Sequence, residues 1–189
     1  MGVATVLMWE LILKPVWEGV LQTSAVAVLS RVRRRGLAPR AKELALALDG
    51  FSRSRIRPDS FAIPGIGRIP RPEITEIIDT WAGGVNGILL AGGAGIGKSG
   101  VAHHVAEHMR VRGAPVLFLD CSELSVAERP TSMLFSNLGV SEDSLIGSLR
   151  DLGAQITTYM IVDQLDSLTR AGSLISAVAF IRTVAAIPG

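Results

Sequence analysis

Gly87-Ile-Leu-Leu-Ala-Gly-Gly-Ala-Gly-Ile-Gly-Lys-Ser99 is the stretch on which the reading of this chain turns. Gly87 to Ala91 is a short apolar run that reads as a buried strand. Gly92, Gly93, Ala94, Gly95, Ile96, Gly97, Lys98 and Ser99 then fit G-x-x-x-x-G-K-[ST] without a mismatch. Beyond Gly100, Val101, Val105 and Met109 fall four apart, which predicts a helix with one apolar face. A loop between a strand and a helix N-terminus is where phosphate capture needs it. Glycines let backbone N–H groups turn inward around an anion, and the helix dipole points its positive end there. Lys98 is placed to reach β- and γ-phosphates, and the Ser99 hydroxyl to ligate Mg²⁺. The plain alternative is a glycine-rich turn that binds nothing; the strand before it and the Lys-Ser pair at the helix start argue against that.

Working outward, the 189 residues fit one ordinary domain with an appendage, or two small domains. A hydrophobic fraction of 48% against 19% charged excludes a generally disordered chain. The net charge of +2 conceals an asymmetry. Residues 1–71 carry twelve Lys/Arg against five Asp/Glu, and residues 72–189 carry seven against twelve. That shift predicts a boundary near residue 71. The single cysteine, Cys121, excludes an intramolecular disulfide and points to a reducing, cytoplasmic compartment.

Residues 1–30 are strongly apolar, with Glu10, Lys14, Glu18 and Gln22 forming one narrow polar stripe on a helix that Pro15 divides. The longest uncharged stretch is 12 residues, Gly19 to Ser30, short of the roughly 18–20 that a membrane span requires. No basic residue precedes the apolar stretch, so a secretory leader is not indicated. A helix packed on protein is the expectation. Trp9, Trp17 and the basic run Arg31 to Arg35 make residues 1–35 a second option, a segment on an anionic membrane surface. The same arginines lack the interleaved aromatics of a single-strand platform, so nucleic acid is not the expected partner.

Pro39 to Leu48 predicts a short helix with Gly50 just past its end. Residues 50–71 are basic and rich in Pro and Gly, and read as a linker between a helical segment, 1–49, and a core, 72–189. Pro72 opens a helix on which Ile74, Ile77, Ile78 and Trp81 share a face. The helix over 98–112 carries His103, His104 and His108. His104 and His108 have metal-ligand spacing, but Glu107 lies on another face, and a solvated helix side is the expectation. Pro115 to Leu119 predicts a second strand, ending at Asp120-Cys121; 131–138 and 142–152 look helical, with Ser141 as N-cap of the latter. Thr158 to Asp163 is a third apolar run ending in an aspartate, placed to hold Mg²⁺ with Ser99, and Ser173 to Ile187 is a last helix.

Ile161-Val162-Asp163-Gln164-Leu165-Asp166, downstream of this type of loop, resembles the STAND class of P-loop NTPases, including its NACHT-like bacterial members. There a strand aspartate is followed three residues later by a second. Arg71-Pro72-Glu73-Ile74 resembles the Arg-x-Glu-Ile element that precedes the first strand in STAND and AAA+ proteins. The resemblance covers about residues 68–187. It implies a three-layer α/β P-loop core with a parallel sheet, Arg71 near the nucleotide base, and Asp166 with Gln164 positioning water. Lys98 and Asp163 complete the implied catalytic set. AAA+ enzymes usually have Glu where Gln164 stands, and glutamine orients water but takes no proton. Either Asp166 polarises the water, as the resemblance implies, or hydrolysis of Mg-ATP is slow; slow hydrolysis is the expectation, as suits a signalling switch, and many bacterial relatives of this kind act in defence. An AAA+ ATPase acting on nucleic acid and a degenerate, non-hydrolysing fragment are the alternatives. About three strands are expected where such cores have five, so the chain is read as a fragment, or as one completed by a partner or by self-association.

Overall fold

The computed structural model describes residues 36–61, 69–85, 87–124, 138–139, 141–168 and 171–187. The expected N-terminal helix, with its membrane-surface option, lies outside the described residues, as does most of the helix expected over 131–138.

Helix α1 spans Pro39–Arg53, α2 Pro72–Ala82 and α3 Lys98–Val111. Strand β1 covers Val116–Asp120 and leads into the short α4, Cys121–Leu124. Helix α5 (Glu142–Gly153), strand β2 (Tyr159–Asp163), a 3-10 turn (Leu165–Ser167) and α6 (Ala171–Ala185) follow. Another 3-10 turn, Pro58–Phe61, sits between α1 and α2. Both Pro39 and Pro72 occupy the first helical turn, where a missing N–H costs nothing. Ser141 caps α5 by accepting a hydrogen bond from Ser144 N at 3.3 Å. Among the described residues no helix is long and apolar enough to cross a membrane.

β1 and β2 pair in parallel, from Val116 opposite Tyr159 to Asp120 opposite Asp163. Their side chains alternate between two cores, which makes three layers. Leu117 and Leu119 meet Leu44 and Leu48 of α1, Leu145, Leu149 and Leu152 of α5, and Phe180 of α6. On the other face Val116, Phe118 and Ile161 meet Val101, Val105 and Met109 of α3 and Ile77 of α2. Both faces of β1 are covered, so it reads as a continuous apolar run, as a parallel strand should.

Two expectations change. Helix α1 passes through Gly50 and ends at Arg53, because Ser52 is needed inside. Its hydroxyl donates to Val116 O at 2.6 Å and accepts from Phe118 N at 3.0 Å. These are the β1 backbone groups that face away from β2, so one turn of helix stands where another strand would bond. The second change is at Gly87–Ala91, which has no ladder; among the described residues the sheet has two strands, not three. A strand requires a neighbouring edge. One edge of β1 is taken by β2 and the other by Ser52, and on the remaining edge, that of β2, Gly87–Ala91 forms no ladder. Leu89 is 87% exposed accordingly.

Candidate nucleotide and cation site

The phosphate loop is shaped by two left-handed glycines, Gly95 (φ 79°) and Gly97 (φ 92°). Gly97 also serves as N-cap of α3, so the chain leaves the loop directly into helix. A side chain at 97 would collide with the Arg71 guanidinium, which lies against the loop. Arg71 thus packs against the residue that precedes Lys98, and its contact in this structure is with the loop itself. Lys98 Nζ arches back over the loop and donates to the carbonyls of Gly92 and Gly93, each at 2.8 Å. The ammonium is thereby held above the glycine turn.

Ser99 stands on the first turn of α3, and Asp163 at the C-terminal tip of β2. Ser99 Oγ donates to Asp163 Oδ1 at 3.0 Å, which Gln164 N also reaches, at 2.9 Å. Asp163 is only 8% exposed, and its Oδ2 is buried without a hydrogen-bond partner. A buried anionic oxygen left bare beside a serine hydroxyl is the donor set a hard divalent cation takes. Ser99 and Asp163 therefore fit Mg²⁺.

Gln164 and Asp166 do not join this cluster. Gln164 adopts a left-handed backbone (φ 54°), and its Nε2 donates to Asp120 Oδ1 at 3.2 Å. Asp120 Oδ1 also accepts from Ser122 N and Oγ, at 2.9 and 2.6 Å. Asp166 is exposed on the 3-10 turn, and its charge is felt at Cys121. Neither side chain makes a direct contact with Ser99, Lys98 or Asp163 among the described contacts.

His103 is the residue the sequence reading missed. It is 6% exposed, not on a solvated helix side, and its Nε2 lies 4.0 Å from Asp163 Oδ2. Burial holds it below the usual histidine range, against the opposing pull of Asp163 and Asp120. The available signal was spacing: His103 follows Ser99 by four, so both share one face of α3. His104 Nδ1 instead sits 2.7 Å from Gly100 O. A cavity of about 340 Å³ opens at the other end of β2, beside Trp81 and Tyr159, away from the Asp163 tip.

A glycine loop at a helix start, facing an aspartate at a strand tip, is an arrangement that nucleotide-binding ATPases use. The family model for the ATPase family associated with various cellular activities (AAA) matches residues 88–185, more than half of the chain. The chain belongs to the AAA family, whose chemistry is nucleotide binding and ATP hydrolysis. The match includes the phosphate loop, Ser99 and Asp163, and stops short of Arg71. Among curated proteins and among solved structures, none matches the chain significantly.

Proposed function

We propose that this chain binds Mg-ATP and hydrolyses it slowly, as a STAND-like nucleotide switch. The observation that carries the reading is the convergence of Ser99 and Asp163 beside a loop already spanned by Lys98. Backbone N–H groups of 92–97 and the N-terminus of α3 cradle the phosphates. Lys98 balances β/γ charge, and Arg71, lying against Gly97, adds a second cation at the loop. Ser99 and Asp163 hold Mg²⁺, which supplies charge neutralisation at the phosphate oxygens. Slow turnover is supported by Gln164: it cannot act as a base at neutral pH, and its amide is engaged by Asp120. Asp166, exposed on the 3-10 turn, is the residue that the family resemblance assigns to orienting water. A switch of this kind is expected to self-associate when nucleotide binds.

The engaged Gln164 amide also favours a second reading, a chain that binds nucleotide without hydrolysing it. Thermal melts with Mg-ATP, Mg-ADP and no ligand, beside phosphate release over hours, separate the two. Ligand at about 100 times its Kd adds roughly 2.7 kcal/mol to a folded chain. A Mg-ATP shift with slow phosphate release supports the switch. A shift without release supports the second reading, and no shift overturns both.

A further inference from the structure

We propose that His103 is a positioning residue that orients the Asp163 carboxylate toward the divalent cation. The inference rests on the Mg-ATP reading of the site and adds a residue to it. His103 lies one helical turn beyond Ser99, so α3 presents both to the tip of β2. Three contacts fix its ring. Phe61 and Phe118 flank it, with ring centroids 5.1 and 4.6 Å away. Arg57 N, at the end of the segment following α1, donates to His103 Nδ1 at 3.0 Å.

That last bond determines the proton's place. A nitrogen that accepts from a backbone N–H carries no hydrogen, so the ring is neutral and protonated on Nε2. Nε2 is the atom that faces Asp163 Oδ2, 4.0 Å away. The carboxylate is thus held at Oδ1 by Ser99 Oγ and Gln164 N, while the neutral His103 N–H dipole faces Oδ2 from 4.0 Å, beyond hydrogen-bond reach, and leaves that oxygen unpartnered. A dipole suits the task better than a charge. Lysine or arginine here would form an ion pair and compete with the cation, whereas a neutral donor holds the plane and leaves the negative charge available. Metal-binding carboxylates commonly depend on such outer partners.

The test compares His103→Phe, which keeps the aromatic stack and removes both nitrogens, with His103→Gln, which restores an N–H donor. The chain is melted with ATP across a Mg²⁺ titration, and ATP binding is also measured in EDTA. The expected result is a Mg²⁺ requirement raised about 10- to 100-fold in His103→Phe. His103→Gln recovers most of it, and ATP binding in EDTA stays equal in all three chains. Equal Mg²⁺ requirements in wild type and His103→Phe overturn the proposal. So does an equal loss of binding in EDTA, which marks a merely structural role. Imidazole ¹⁵N shifts of the wild-type chain test the tautomer without any variant; a proton on Nδ1, or an imidazolium, at neutral pH overturns it. A wild type stabilised by ATP regardless of Mg²⁺ overturns the cation site itself, a separate and recognisable failure.

Discussion

Ser99 and Asp163, 64 residues apart in the chain, meet side chain to side chain at 3.0 Å, and they leave Asp163 Oδ2 bare. A desolvated carboxylate oxygen without a donor is a cost borne by the ligand-free fold. Asp163→Asn keeps an acceptor for Ser99 Oγ and Gln164 N and removes the charge. The ligand-free variant should therefore be at least as stable as wild type, by on the order of 1 kcal/mol. The stabilisation by Mg-ATP should vanish. Paired melts with and without Mg-ATP check both halves, and a destabilised ligand-free variant would count against a charge held in reserve for a cation.

Lys98 bridges two exposed carbonyls of its own loop. Hydrogen bonds so open to water are nearly replaced by solvent when lost, so Lys98→Ala should change ligand-free stability by less than about 0.5 kcal/mol. Nucleotide binding should fall below detection in calorimetry. Lys98→Arg should fail as well, because a planar fork does not replace a compact ammonium above a tight glycine turn. Wild-type affinity in either variant would sink the phosphate-loop assignment.

Ser52 is fully buried and bonds both Val116 O and Phe118 N. Ser52→Ala strands a buried carbonyl and a buried N–H at once. The expected loss is about 1–3 kcal/mol, read as a lower denaturation midpoint with an unchanged denaturant slope. A loss within experimental error would mean water replaces the hydroxyl at this edge.

Phe118 is 0% exposed between α3 and the sheet, whereas Leu89 is 87% exposed. Phe118→Ala should cost about 3–5 kcal/mol. Leu89→Ala should fall within about 0.5 kcal/mol of wild type. A large cost at Leu89 would show that Gly87–Ala91 is packed in solution, and that the expected third strand exists there.

What was legible in the sequence is what local chemistry dictates. Proline starts and apolar periodicity placed α2 and α3, and Ser141 announced α5. The phosphate loop and the Asp163 tip were readable because their residues must follow one another along the chain. The misses were set by distant partners. Nothing in 50–61 announces that Ser52 bonds β1, and Gly50 on its own reads as the end of α1. Gly87–Ala91 has the composition of a strand, but composition supplies no neighbouring edge. His103 looked like one of three surface histidines, and only the approach of Phe61, Phe118 and Asp163 makes it part of the core. The resemblance implies that Gln164 and Asp166 act together on water, yet Gln164 sits in a left-handed turn and its amide donates to Asp120.

Cys121 follows β1 and is 1% exposed. Burial first, then the charges of Asp120, Asp163 and Asp166, push its thiol up to about 11 from 9.0. The thiolate is the reactive form, so native Cys121 should resist iodoacetamide at pH 8 and react rapidly once the chain is denatured. The same shift fixes a sign for stability. Between about pH 9 and pH 11 the unfolded chain has released a proton that the folded chain retains, so stability falls as pH rises through that window. Comparison with Cys121→Ala isolates the thiol. Wild type should lose more stability than Cys121→Ala between pH 8 and pH 10.5; equal losses, or rapid native alkylation at pH 8, would mean that α4 opens and exposes the thiol.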